Sequence, residues 1–303
     1  MNKTNFIFMA IAKGKESNEG AVVKRYIGVA PVFVKAVNPN KAQMEKIFGT
    51  TLDKDPEYVG TMDVDGEVIP NTRITFIVQP DAQKVGIETG PMSISLFVRK
   101  QYRYNRDKTK VQVIDKYGRT AWVTIEQAKA KEIPMYANGP ANLDKDYRPC
   151  YVGEEDLTNF LIAYLNIPSP MKYNREEKKW YMVENPEESE CRLDNIDGLF
   201  KGDFSELESA ISWQPINKVK AMFGVRTSDD NKQYQAVYTQ MFLKNSVTDY
   251  SKLDADLQER KNNGAYATTE FEACDFKEYV VKETKFEDNV DPFASSNDNP
   301  WGL

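Results

Sequence analysis

The chain contains no histidine among its 303 residues. That absence excludes imidazole acid–base catalysis, Ser-His triads and the commonest zinc ligand. Cysteine is scarce as well. Cys150, Cys191 and Cys274 are odd in number and widely spaced, which argues against a disulfide framework or a zinc finger and fits a reducing cytoplasm. No run of eighteen apolar residues occurs, so no membrane span is expected. The short apolar run 6–12 reads as a starting strand or mobile arm rather than a signal sequence.

What is present is a core-forming, aromatic-rich chain. Apolar residues make up 41%, with sixteen Tyr, fifteen Phe and four Trp. The length fits one large or two ordinary domains. The most informative stretch runs from Ile94 to Val123. Its first half, Ile94 to Tyr104, is rich in β-branched and aromatic residues and reads as a strand. Residues 105–108 supply a turn, Lys110 to Ile114 a second strand, and 115–118 another turn before Ala121, Trp122 and Val123.

From Arg99 to Arg119 there are eight Lys or Arg against two Asp, whereas the whole chain carries a net charge of -6. Tyr102, Tyr104, Tyr117 and Trp122 interleave with those cations. A groove for single-stranded nucleic acid needs this mixture, because cations neutralise phosphates and flat rings stack on unpaired bases. The candidate phosphate contacts are Arg99, Lys100, Arg103, Lys110, Lys116 and Arg119, with the four rings as stacking candidates. Alternation places Tyr102 and Tyr104 on one face with Lys100 and, roughly, Arg106, and Arg99 with Arg103 on the other. The competing reading is a solvated edge hairpin whose cations block aggregation.

A second β-hairpin of the same chemical kind is expected over Ile216–Asn245, where Lys220, Arg226 and Tyr234 join the candidates. Between the two lies a helical stretch. Thr124 caps a short helix, Gly153–Asn166 is the best amphipathic helix in the chain with three acids in its first turn, and Asp203–Ile211 is a shorter one. Earlier, Asn40 caps a helix over Lys41–Phe48 that Gly49 ends, and the strand Ala21–Val37 is expected to break near Pro31. The acidic run Asp63–Glu67 reads as an Asp-Gly turn. It lacks the spacing of a calcium loop. Met171–Glu190 is a charged loop or short hairpin around Trp180 and Tyr181, Leu253–Lys261 a charged helix and Phe271–Val281 a last strand.

The economical organisation is a mainly β, α+β fold. It consists of a flexible arm (1–20), an OB-type β-barrel core (21–123 with 216–281), an inserted helical segment (124–215) and a disordered acidic tail (282–303). No Lys or Arg follows Lys285, and an aromatic follows proline twice, in Asp291-Pro292-Phe293 and Asn299-Pro300-Trp301.

That tail, with Lys110 to Val123 (KVQVIDKYGRTAWV) and Gly224 to Leu243 (GVRTSDDNKQYQAVYTQMFL), resembles single-stranded DNA-binding proteins. The resemblance is to those of large tailed phages of gut bacteria, with a bacterial-type acidic aromatic tail. Bacterial members end on Asp-x-Pro-Phe-like residues that dock on replication and repair proteins, whereas here the DPF unit is internal. The resemblance implies sequence-independent binding of single-stranded DNA in replication or recombination, without catalysis or cofactor. It also implies a place in the host cytoplasm, and an oligomer is compatible with it. Asp291, Pro292, Phe293, Pro300 and Trp301 become the partner-docking residues. A virion structural or cargo protein is the alternative, and a metal-dependent nuclease a more distant one.

Overall fold

Alternation of apolar and polar residues at period two gives the longest strands one face against a core. The computed structural model describes residues 24–137, 139–213 and 217–280. The expected arm (1–20) and acidic tail, with Asp291, Pro292, Phe293, Pro300 and Trp301, lie outside these residues.

Strand β1 (Tyr26–Val37) leads into α1 (Lys41–Phe48). Asn40 and Gln43 cap that helix reciprocally, side chain to backbone, at 2.9 Å each way, and Gly49 ends it at φ 62. β1 does not break at Pro31. In an antiparallel strand a residue's N–H and C=O point to the same side. Pro31 turns its donor-less side toward the end of the neighbouring strand, where its carbonyl accepts the Asp81 N–H at 2.9 Å. β2 (Val59–Val64) and β3 (Glu67–Pro80) then form a hairpin. Its turn is the acidic run Asp63–Glu67, with the Asp63 carboxylate accepting the Gly66 N–H at 2.9 Å.

A single-turn helix α2 (Ala82–Val85) precedes β4 (Met92–Tyr102), β5 (Lys110–Ile114) and β6 (Thr120–Thr124). Next come α3 (Ile125–Ala130), capped by Thr124 as expected, and the short strands β7 (Met135–Tyr136), β8 (Gly139–Pro140), β9 (Arg148–Pro149) and β10 (Tyr151–Val152). Helix α4 (Glu154–Tyr164) is followed by the hairpin β11 (Met171–Asn174) and β12 (Lys179–Met182), and by α5 (Ser205–Trp213). The chain closes with β13 (Lys218–Thr227), β14 (Gln233–Lys244), α6 (Ser251–Asn262), β15 (Thr269–Phe271) and β16 (Lys277–Glu278). The single strand expected over Phe271–Val281 is thus two short ones.

Among the described residues, nine strands make one antiparallel sheet in the order β10-β4-β3-β1-β13-β14, with β2 on β3, β15 on β13 and β16 on β1. Register shifts at Val34/Ala36 and Lys220/Met222 sharpen its twist. The sheet curls into a half-barrel, an OB-like, mainly β α+β fold.

Helix α4 fills the concave side. Leu157, Phe160, Leu161 and Tyr164 are buried against Phe76, Leu96, Val219 and Phe223 of the sheet. Phe160 stacks on Phe76 at 4.1 Å and meets Phe242 edge-on at 5.1 Å. Burying each such side chain contributes about 1.5–3 kcal/mol. On the convex side Leu253 and Leu257 of α6 cover Val29, Met222 and Tyr238.

Segment 124–215 is therefore interleaved with the half-barrel rather than hung on it. It provides the filling of the sheet's concave face, and its β10 and β9 extend β4 and β5. An open curled sheet leaves an apolar inner face that something must cover. No helix of the described residues is long and apolar enough to cross a membrane.

Candidate nucleic-acid interface

The central stretch does not form one ladder. β4 belongs to the large sheet and β5 to a small one with β6 and β9. The two touch through the bridge Tyr104–Val111 and the bond from Gln112 N–H to the Arg103 carbonyl at 2.8 Å. Cys150 wedges into the fork. Its carbonyl accepts the Arg103 N–H at 3.0 Å and its N–H donates to the Gln112 carbonyl at 2.9 Å. Burial pushes its thiol pKa up.

At the end of β4 an aromatic stack reaches the surface. Tyr102 lies flat on Tyr151, with centroids 5.2 Å apart and planes 12° from parallel. Tyr151 in turn meets Phe200 edge-on at 5.5 Å. Tyr151 is buried while Tyr102 is 42% exposed, so the outermost ring is seated on a fixed one. Lys100 stands beside this stack, 3.2 Å from Asp197 and over the Phe200 ring. Tyr104 is 43% exposed.

The turn that follows is tightly built. The Asn105 side chain accepts the Lys110 N–H at 2.8 Å, and Asp107 accepts the Thr109 N–H and hydroxyl at 3.2 and 2.7 Å. The Thr109 hydroxyl holds the Asp107 carboxyl below its ordinary pKa. Arg106, Lys108 and Lys110 project from this frame, exposed. Together with half-buried Arg99 they form no ion pair among the described residues. Arg106 and Lys108 were expected as turn residues, Arg106 roughly on the face of Tyr102 and Tyr104, and neither was counted among the phosphate contacts. That they stay unpaired while Arg103, Lys116 and Arg119 are engaged was not legible in the sequence.

Other candidates prove to be committed to the fold. Tyr117 is 6% exposed and lies under Lys116 and Arg119, 5.1 and 4.9 Å from its ring. It presents no face to a base. Arg119 grips the fully buried Asp115 at 2.7 Å. The same carboxylate accepts the backbone N–H groups of Tyr117, Arg119 and Asp144, so Arg119 holds the β5–β6 turn rather than a phosphate.

Arg103 is 2.6 Å from Glu155, which also accepts from Gln112 and Thr120 at 3.0 and 3.1 Å. Its guanidinium lies 5.9 Å over the half-buried Trp122. Lys116 pairs with Glu190 at 2.8 Å. The fold thus brings Glu155, Glu190 and Asp197 to cations that look unopposed in the sequence, which cancels much of their field.

The second hairpin is elsewhere. Lys220 donates to the Val247 carbonyl and lies over Tyr250, with burial lowering its pKa. Arg226 lies 5.6 Å over the Tyr234 ring. Arg99 is opposite Asn71, past the Val37–Phe76 pair at one end of β1. Arg226 is opposite Tyr234, past the Gly28–Phe223 pair toward the other end. The two basic hairpins therefore diverge along the strand direction, and Lys220, Arg226 and Tyr234 do not join the β4 group.

Among the described residues no three acidic or cysteine side chains converge as a metal-holding group. Glu154 of the acidic first turn of α4 is buried and paired with Arg148 at 3.0 Å. Burial, followed by the neighbouring Glu155 charge, raises the Asp156 carboxyl to about 6. Comparison with protein-family models, curated protein sequences and solved structures returns no match to this chain.

Proposed function

We propose that the chain binds single-stranded DNA without sequence preference, as a non-catalytic protein of phage DNA replication or recombination. The observation that carries the reading is the Tyr151–Tyr102 stack, whose outer ring is 42% exposed, at the end of the strand that leads into the turn carrying the unpaired Arg106, Lys108 and Lys110. A ring already held flat by a buried neighbour loses little freedom when a base adds to the stack, and base–aromatic stacking contributes about 1–3 kcal/mol. The adjacent cations take the phosphates. Lys100 is available too, because an exposed pair such as Lys100–Asp197 contributes little and a phosphate can replace it. On this reading the acidic tail, through Asp291, Pro292, Phe293, Pro300 and Trp301, recruits replication or recombination proteins.

Titration of intrinsic fluorescence with oligo-dT at several salt concentrations tests this. Binding that weakens steeply with salt is expected. Tyr102→Ala then costs about 1–3 kcal/mol, and replacing Arg106, Lys108 and Lys110 by Ala flattens the slope of log K against log salt by about 2. Absence of salt-dependent binding overturns the reading in favour of a virion structural or assembly protein. Cleavage of the DNA in the presence of magnesium overturns the non-catalytic part.

A further inference from the structure

We infer that the β11–β12 hairpin is a second contact for the same single strand, an arm whose rings stack on bases and whose lysines take phosphates. The inference rests on the reading above. Cross-strand pairs Met171–Met182 and Tyr173–Trp180 lie on one face of the hairpin, and Lys172–Tyr181 and Asn174–Lys179 on the other.

The first face is apolar and left open. Trp180 is 56% exposed, Met182 48% and Tyr173 43%. The Tyr173 and Trp180 rings support each other at 5.1 Å. Two four-residue strands alone are marginal in water, and this hairpin forms a sheet of its own. Its shape is held by its turn, where the Asn174 side chain accepts the Glu176 and Glu177 N–H groups at 2.9 and 3.2 Å.

Charge identifies the occupant. Lys172, Arg175, Lys178 and Lys179 stand against Glu176 and Glu177 within Met171–Met182, in a chain of net charge -6. Glu177 is engaged by Tyr181 and Asn174. The four cations form no ion pair among the described residues, unlike Arg103, Lys116 and Arg119. Open rings on one face, unpaired Arg175 and Lys178 in the turn, and Lys172 and Lys179 on the opposite face with the 44% exposed Tyr181 complement a polyanion with exposed flat bases.

Two variants test this in the full chain, with circular dichroism as the check on folding. Tyr173→Ala with Trp180→Ala should lower oligo-dT affinity about tenfold. Lys172→Ala, Lys178→Ala and Lys179→Ala together should flatten the salt slope by about 2. Trp180→Phe should remove part of the tryptophan quenching seen on binding while retaining most of the affinity. If the parent binds oligo-dT and the variants match it in affinity, slope and quenching, the arm is not a contact and the β4 site stands alone. If sedimentation shows that the variants lose self-association with DNA binding unchanged, the arm joins copies of the chain, and the inference is likewise overturned. A parent that does not bind oligo-dT removes both the reading and the inference.

Discussion

Glu155 decides how much of the local positive charge a ligand can feel. Its carboxylate takes Arg103, Gln112 and Thr120 together at the β4–β5 fork. Glu155→Gln keeps an acceptor for these donors and removes the charge opposing Arg103. The variant is expected to bind oligo-dT a few-fold more tightly at low salt and to steepen the salt slope by about 0.7, one further phosphate contact. Unchanged affinity at low salt would show that Arg103 lies off the path. The composition of the stretch was legible in the sequence, and so was the sharing of a face by Lys100 and Tyr102. The partners were not, because Glu155, Glu190 and Asp197 are distant in the chain and only folding brings them to Arg103, Lys116 and Lys100. Counting charge along a sequence measures the field of an extended chain, not that of a folded surface.

At the level of elements, the join between α4 and β4 is the tightest glycine contact among the described residues. Gly153 precedes α4 at φ 87, and a Cβ there would sit 1.8 Å from the Phe97 carbonyl oxygen. Gly153→Ala must push the helix off the strand, withdrawing Leu157, Phe160 and Leu161 from the concave face. A loss of about 3 kcal/mol or more is expected, read as a lower urea midpoint. A midpoint equal to the parent's would show that α4 can shift freely. For the same reason excision of 124–215 is expected to leave no folded core. Caps and periodicity made α1, α3 and α4 readable, since Asn40, Thr124 and the apolar stripe of α4 act over a few residues. The fork between β4 and β5 was unreadable because Cys150, far along the chain, supplies the hydrogen bonds that split the expected ladder.

Across the whole molecule, Asp156 sets a pH dependence opposite to that of most carboxylates. Its folded pKa of about 6 exceeds the unfolded value of about 3.9, so folding favours the protonated form. This contribution to stability is full below about pH 4 and is lost as pH rises through 6. Asp156→Asn should match the parent at pH 4 and exceed it by about 1 kcal/mol at pH 7.5, the full shift being reduced because the group is partly solvated. Equal urea midpoints at both pH values would refute this. The sheet order also governs how the chain is made. β1 pairs with β3 on one side, but its other neighbour is β13, with Val29 opposite Met222 roughly 190 residues later. At about 5–20 residues per second on the ribosome, β1 waits roughly ten to forty seconds for that partner. During that interval its edge is open to other nascent chains. Yield of the native protein should therefore depend on chaperone supply and on slow, cool expression more than its final stability would indicate.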